Sequence, residues 1–239
     1  IKKVAVIGSG IMGSRIACHF ANIGVKVLLL DICPKELSEE EKKKGLNLKN
    51  KIVRNRIVTS SFLNTLKTKP KSFYLDKNKK NISLGNIEDD INKISEVDWI
   101  IEVVVEKLEI KKIVFEKIEK HRKKGTLITS NTSGIPVKQM IEERSPDFVE
   151  NFCVTHFFNP PRYMKLLEIV PGEKTKKEIT DFLMHYGSLF LGKETVLCKD
   201  TPAFIANRVG IYSIMSAMHT IDKMGLSVGE VDFLTGPKI

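Results

Sequence analysis

Apolar residues along this chain fall in short dense blocks separated by polar turns, and the period of each block predicts its element. Val4–Ile7 and Val25–Leu30 are nearly continuous apolar runs of strand length, and Ile16, Phe20 and Ile23 recur at helical spacing between them. The alternation continues with a helix predicted from Ser38 to about Ile57, a short strand at Ile82–Leu84 and a short helix at Glu88–Ile94. A strand then runs from Asp98 to Glu106, followed by a helix at Lys107–Lys120 and a strand at Thr126–Thr129. Residues 64–81, rich in Pro, Asn and Lys, read as an exposed turn or mobile insert. Beyond Pro146 come strands at Phe152–Phe157 and Lys165–Val170, a helix over Thr175–Leu191 and a strand at Glu194–Cys198. Apolar runs without polar alternation suit strands covered on both faces, so the fold class is α/β, a doubly wound sheet.

The pattern changes after the Lys199-Asp200-Thr201-Pro202 break. From Ala203 to Met224 one helix carries Phe204, Ile205, Val209, Ile211, Tyr212, Ile214, Met215, Met218 and Ile221 around nearly its whole circumference. A helix apolar all round has to be enclosed by other protein. Residues 1–199 therefore form one α/β domain, and 200–239 are expected to begin an all-α second domain, truncated here or covered by a partner subunit.

Between the first two strands lies Gly8-Ser9-Gly10-Ile11-Met12-Gly13, with Asp31 closing the second strand. Gly8 permits the tight turn, Gly10 lets backbone N–H groups approach a diphosphate, and Gly13 lets the helix pack close to the sheet. The helix N-terminus favours an anion there. A carboxylate at Asp31 accepts ribose hydroxyls and repels a 2′-phosphate, so the spacing predicts a Rossmann-type site for NAD rather than NADP. Ligands of such sheets bind beyond the carboxyl ends of the strands, where Gly8, Asp31, Glu106 and Asn131–Ser133 are expected to converge.

Composition narrows the picture further. The 239 residues are 42% hydrophobic, enough for a substantial core, and no apolar run reaches membrane-span length. Cys18, Cys33, Cys153 and Cys198 lack metal-ligand or paired spacing and read as reduced thiols, which predicts a cytoplasmic setting. The chain starts at Ile1 rather than Met, so a transit peptide and a mitochondrial matrix location stay open. The formal charge of +10 resides largely in lysine-rich stretches at 42–56, 67–80 and 107–124 without interleaved aromatics, which reads as solvated faces and not as a nucleic-acid module.

Two residues carry candidate chemistry. His156 and Glu168 lie on successive predicted strands, and if those strands are neighbours the carboxylate orients the imidazole and stabilises the imidazolium. Equally, a lone strand histidine is often a satisfied core residue, and the glutamate can face solvent.

The glycine turn, Val104-Val105-Glu106, Asn131-Thr132-Ser133, His156-Phe157-Phe158-Asn159-Pro160, Leu167-Glu168-Ile169-Val170 and Asp200-Thr201-Pro202-Ala203-Phe204-Ile205-Ala206-Asn207-Arg208 together resemble the L-3-hydroxyacyl-CoA dehydrogenases, including 3-hydroxybutyryl-CoA dehydrogenases. The resemblance covers nearly the whole chain. It implies that His156 is the general base and Glu168 its partner, with Ser133 and Asn207 around the reacting oxygen. It implies NAD contacts at Asp31, Glu106, Lys111, Asn131, Ser133 and Asn159, beside the turn residues Gly8, Gly10, Ile11, Met12 and Gly13. A 3-hydroxyacyl-CoA or 3-ketoacyl-CoA substrate follows, as does a homodimer through the C-terminal helices. It also places coenzyme A near Lys42–Lys44, Lys49 and Lys51, without matching individual lysines. Rival readings are a dehydrogenase of a free hydroxy acid, a non-catalytic NAD-fold protein, or one domain of a larger fatty-acid oxidation protein.

Overall fold

β1 (Lys3–Ile7) lies in the middle of the molecule and its residues Val4 to Ile7 are fully buried. In this computed structural model residues 1–236 are described; residues 237–239, the end of the predicted helical segment, lie outside the described residues. α1 (Ile11–Asn22) leads to β2 (Lys26–Asp31), then α2 (Glu39–Lys43), α3 (Lys51–Arg54), α4 (Arg56–Lys67), β3 (Ile82–Asn86) and α5 (Ile87–Asp90). β4 (Trp99–Glu102), α6 (Leu108–His121), β5 (Leu127–Ser130), α7 (Val137–Met140), α8 (Pro146–Glu150) and β6 (Phe152–Phe157) follow. β7 (Leu166–Pro171), α9 (Lys177–Leu189) and β8 (Glu194–Leu197) complete the sheet, and α10 (Ala206–Met224) and α11 (Val228–Thr235) come after it.

The sheet has eight strands in the order β3-β2-β1-β4-β5-β6-β7-β8. All neighbours run parallel except β6 and β7. The cause is chain length: parallel crossovers need roughly a dozen or more residues, and the connection 158–165 is too short for one. Alternate strand residues serve two cores. Val4, Val6, Leu29, Trp99 and Ile101 face α1, α4 and α9, whereas Ala5, Ile7, Leu28, Leu30 and Ile100 face α5, α6 and α8. Trp99 packs edge-on to Phe20 at 5.2 Å and donates its indole N–H to Thr129 Oγ1 at 2.9 Å, so its polar edge is satisfied inside the core.

Four expectations need correction. The single helix over Ser38–Ile57 is three short helices extending to Lys67, because Gly45 adopts φ +66° and the Asn47–Asn50 turn closes on itself through Asn47 N–H to Asn50 Oδ1. The 64–81 insert is pinned in place. Phe73 is buried against Phe62, Asn22 accepts from Tyr74 N–H, and the Arg162 guanidinium donates to the carbonyls of Lys71 and Phe73 while lying 4.0 Å from the Tyr74 ring. The strand predicted through Glu106 ends at Glu102, whose side chain captures the Val104 N–H at 2.7 Å and turns the chain out of the ladder. Finally, α10 starts three residues later than predicted, after Ala203 (φ 63°) and Phe204 (φ 46°), two left-handed residues that redirect the chain.

All four cysteines are buried free thiols. Among the described residues no helix is long and apolar enough to cross a membrane. The apolar side chains of α10, such as Val209, Tyr212, Met215 and Met218, are exposed, and nothing among the described residues covers them.

Candidate active site

The glycine turn is built as its spacing requires. Gly8 has φ +103°, and a Cβ there would come within 2.5 Å of the Val103 carbonyl oxygen. A Cβ on Gly13 would overlap the Gly8 carbonyl, whereas one on Gly10 would meet nothing within 4 Å. The space beside Gly10 is therefore open at the N-terminus of α1, whose first turn carries no acid and leaves Ile11 exposed and Met12 packed on the core. Unpaired N–H groups and the positive end of the helix face that space, which fits a diphosphate. Asp31 holds the turn from β2: Oδ2 accepts from Ser9 N–H at 2.6 Å and Ser9 Oγ at 2.5 Å, and Oδ1 accepts from Ile32 N–H at 2.7 Å.

Behind the turn sits an ionic network that sequence reasoning did not anticipate. Glu102 is fully buried, and both its oxygens accept from Lys111 Nζ, at 2.9 and 3.1 Å, while Ser130 Oγ donates to Oε2 at 2.6 Å. Lys111 is 1% exposed, so its ammonium is held inside the protein by Glu102 and, at 3.2 Å, by Glu106. A lone acid in the apolar run Trp99-Ile100-Ile101-Glu102 was the available signal. Glu106 lies in the loop beyond β4, half-exposed, and accepts from Thr132 Oγ1 at 2.5 Å and Ser133 N–H at 2.9 Å. Burial pulls its carboxyl upward, but Thr132, Lys111 and Ser133 outweigh that and hold it below the usual range.

The second cluster lies at the ends of β6 and β7. Antiparallel pairing sets His156 opposite Glu168, and His156 Nδ1 lies 2.7 Å from Glu168 Oε2. The pair is buried, 6% and 0% exposed, with the imidazole between the rings of Phe158 at 4.4 Å and Phe204 at 5.9 Å. Glu168 Oε1 accepts from the N–H groups of Ile205 and Ala206 where α10 begins. Cys198 also faces this carboxylate; burial first, then the Glu168 charge, push its thiol up to about 11.

Asn131 ties the two clusters together by accepting the Phe157 N–H at 2.8 Å, and Asn207 Nδ2 reaches the Ser133 carbonyl at 3.5 Å. Ser133 thus sits between Glu106 and Asn207. Asn159 is at the opposite wall, where its Oδ1 accepts from Arg15 Nη1 of α1 at 2.5 Å. Arg15 and Glu102 were both missed, Arg15 because its partner Asn159 is distant in sequence and Glu102 because it lies within an apolar run.

A mostly parallel sheet with an open glycine turn at its carboxyl edge, next to a buried histidine and carboxylate, is the architecture of a dinucleotide-binding domain. The family model described as 3-hydroxyacyl-CoA dehydrogenase, NAD binding domain, matches residues 3–201. The chain belongs to the 3-hydroxyacyl-CoA dehydrogenase family, and its cofactor is NAD. It is 52% identical over its full length to a probable 3-hydroxyacyl-CoA dehydrogenase of Bacillus subtilis, and 43% identical to one of Deinococcus radiodurans. It spans 30% and 65% of the lengths of those two relatives. A crystal structure of 3-hydroxybutyryl-CoA dehydrogenase from Escherichia coli K12 superimposes with a TM-score of 0.65 at 33% identity, over 87% of this chain and 40% of that one.

Proposed function

We propose that this chain carries out hydride transfer between NAD and the C3 position of a 3-hydroxyacyl-CoA, forming the 3-ketoacyl-CoA, in fatty-acid oxidation or related acyl-CoA metabolism. The observation that carries the reading is the buried 2.7 Å contact between His156 Nδ1 and Glu168 Oε2. It commits Nδ1 to the carboxylate and leaves Nε2 as the nitrogen that handles the substrate proton.

NAD, when bound, supplies the acceptor for the hydride that leaves C3. His156 Nε2 removes the proton of the 3-hydroxyl as that hydride departs, and returns it in the reverse direction. Glu168 compensates the imidazolium charge. Its remaining oxygen is fixed by the Ile205 and Ala206 amides, so the carboxylate keeps its orientation through the cycle. Ser133 and Asn207, in contact with each other, flank the reacting oxygen. Gly8, Gly10, Ile11, Met12 and Gly13 would hold the diphosphate of NAD, Asp31 would hold the adenosine ribose, and Glu106, Asn131, Ser133 and Asn159 would line the rest of the cofactor site. Lys111 acts from behind, since its buried ammonium sets the Glu106 carboxylate rather than reaching the crevice.

A helical domain beginning at residue 200 and a homodimer formed through it belong to the same proposal, supported by the exposed apolar surface of α10. A cytoplasmic location is supported by the four free thiols.

The test is NADH oxidation by acetoacetyl-CoA, with full-length wild type against His156→Gln. Turnover by wild type and a loss of roughly 10²- to 10⁴-fold in the variant are expected. Turnover of free keto acids but of no thioester would overturn the substrate assignment.

A further inference from the structure

Lys193 is a buried cation without a carboxylate. It sits in the turn between α9 and β8, is 4% exposed, and forms no ion pair among the described residues. Burying an ammonium is costly unless its N–H groups find strong acceptors. Here the acceptors are the carbonyl oxygens of Pro161 and, at 2.7 Å, Met164. The face of Phe157 lies 5.8 Å away and adds a weaker attraction.

Both carbonyls belong to the connection 158–165 that joins the His156 strand to the Glu168 strand. That connection is a tight turn, with Tyr163 and Met164 N–H groups both donating to the Pro160 carbonyl at 2.9 and 3.0 Å. At its start Asn159 is held by Arg15, and at its end the Lys165 carbonyl accepts from Glu194 N–H at 2.9 Å. Arg15 therefore holds the connection at Asn159 and Lys193 holds it at Pro161 and Met164. With Oδ1 occupied by Arg15, the Asn159 amide contributes its N–H groups as donors.

We infer that Lys193 is a positioning residue: its ammonium fixes the connection through the Pro161 and Met164 carbonyls, and so sets where Asn159 meets the cofactor without touching His156, Glu168 or substrate. The inference rests on the reading of Asn159 as a cofactor contact.

The surroundings make this anchor responsive to alkali. The titratable group that interacts with it is His19 on α1, which Arg162 of the connection also influences, while β6 offers Phe157 and α9 the Gly187 carbonyl, which accepts the Lys193 backbone N–H at 2.9 Å. His19 is kept neutral, pushed down to about 4 by burial and then by the Lys193 charge. Burial also lowers Lys193 itself, to about 8. A neutral amine still has two N–H groups for the two carbonyls, but loses the charge that makes both bonds strong.

The experiment compares full-length wild type, Lys193→Met, Lys193→Gln and the surface control Lys177→Met by NADH fluorescence titration, steady-state kinetics and amide hydrogen exchange. In Lys193→Met, the NADH Kd rises about tenfold, the scale of one lost charged hydrogen bond. The KM for acetoacetyl-CoA stays within about twofold. Exchange accelerates at Tyr163 and Met164 while β1 to β5 stay protected. Lys193→Gln, which retains a donor, falls between, and serves as the test if the Met variant does not fold. Wild-type affinity for NADH weakens as pH rises through about 8, and this limb is missing in Lys193→Met. Unchanged exchange at 160–165 together with an unchanged NADH Kd would overturn the inference. Titration and exchange need no turnover, so a wild type inactive on thioesters refutes the proposed function and leaves this test intact.

Discussion

Glu168 Oε1 accepts the backbone N–H of Ala206 at 2.8 Å, while its other oxygen holds His156. One buried carboxylate therefore orients the proposed base and closes the first turn of α10. The first helical amides have no partner within the helix, and a carboxylate is the best acceptor for them.

Replacing that residue separates the two tasks. In Glu168→Gln the amide oxygen still accepts from Ile205 and Ala206, which places the amide N–H₂ against His156 Nδ1. The ring must then accept at Nδ1 and carry its proton on Nε2, the wrong tautomer for taking a proton from substrate. A kcat lower by roughly 10²- to 10⁴-fold is expected, with thermal stability close to wild type. A variant with near wild-type kcat would remove Glu168 from the mechanism.

Lys111 and Glu102 form a pair 1% and 0% exposed, so deleting the cation strands a carboxylate in the core. Urea unfolding of Lys111→Met is expected to show a loss of about 3–5 kcal/mol. Lys120→Met, which breaks the exposed pair with Glu116, is expected to cost under about 1 kcal/mol. Equal costs for the two would mean that water reaches the Glu102 site.

The two glycines at the helix start part company on substitution. Gly10→Ala projects its methyl into open space, so the melting temperature should hold while NADH binding weakens. Gly13→Ala collides with the Gly8 carbonyl and should lower both, by about 1–3 kcal/mol in stability. Thermal melts and fluorescence titration of the same preparations distinguish them.

His19 links stability to acid. Its folded value is about 4 against 6.5 when free, with burial as the first cause and the Lys193 charge next. Unfolded chains therefore bind a proton that the native state refuses between those values. The contribution is fully present above about pH 6.5 and is lost as pH falls toward 4, up to roughly 3 kcal/mol. Denaturant midpoints measured across this window should fall with pH in wild type, and less steeply in His19→Gln.

Much of this was legible because its causes are local. The glycine turn, β1, β2 with Asp31 at its end, and β6 are written in apolar runs and in the steric demands at Gly8 and Gly13. The early exit of β4 was not, since β propensity continues through Val105 and only the Glu102 side chain, by taking the Val104 amide, stops the strand. Nor was the docking of 64–81, which depends on Arg162, far along the chain. The buried pair of Lys111 with Glu102 was not legible either, because Glu102 was hidden within an apolar run.

The antiparallel return of β7 on β6 has a consequence for variation. His156 and Glu168 meet because they are cross-strand partners, and a side chain's face depends only on the parity of its position along the strand. Residues added to or taken from the connection 158–165 alter the mouth of the crevice but not that parity, whereas a one-residue slip within either strand turns one of the pair to the opposite face. The proton-handling pair is thus encoded by register and the shape of the entrance by loop length, so each can change while the other is kept.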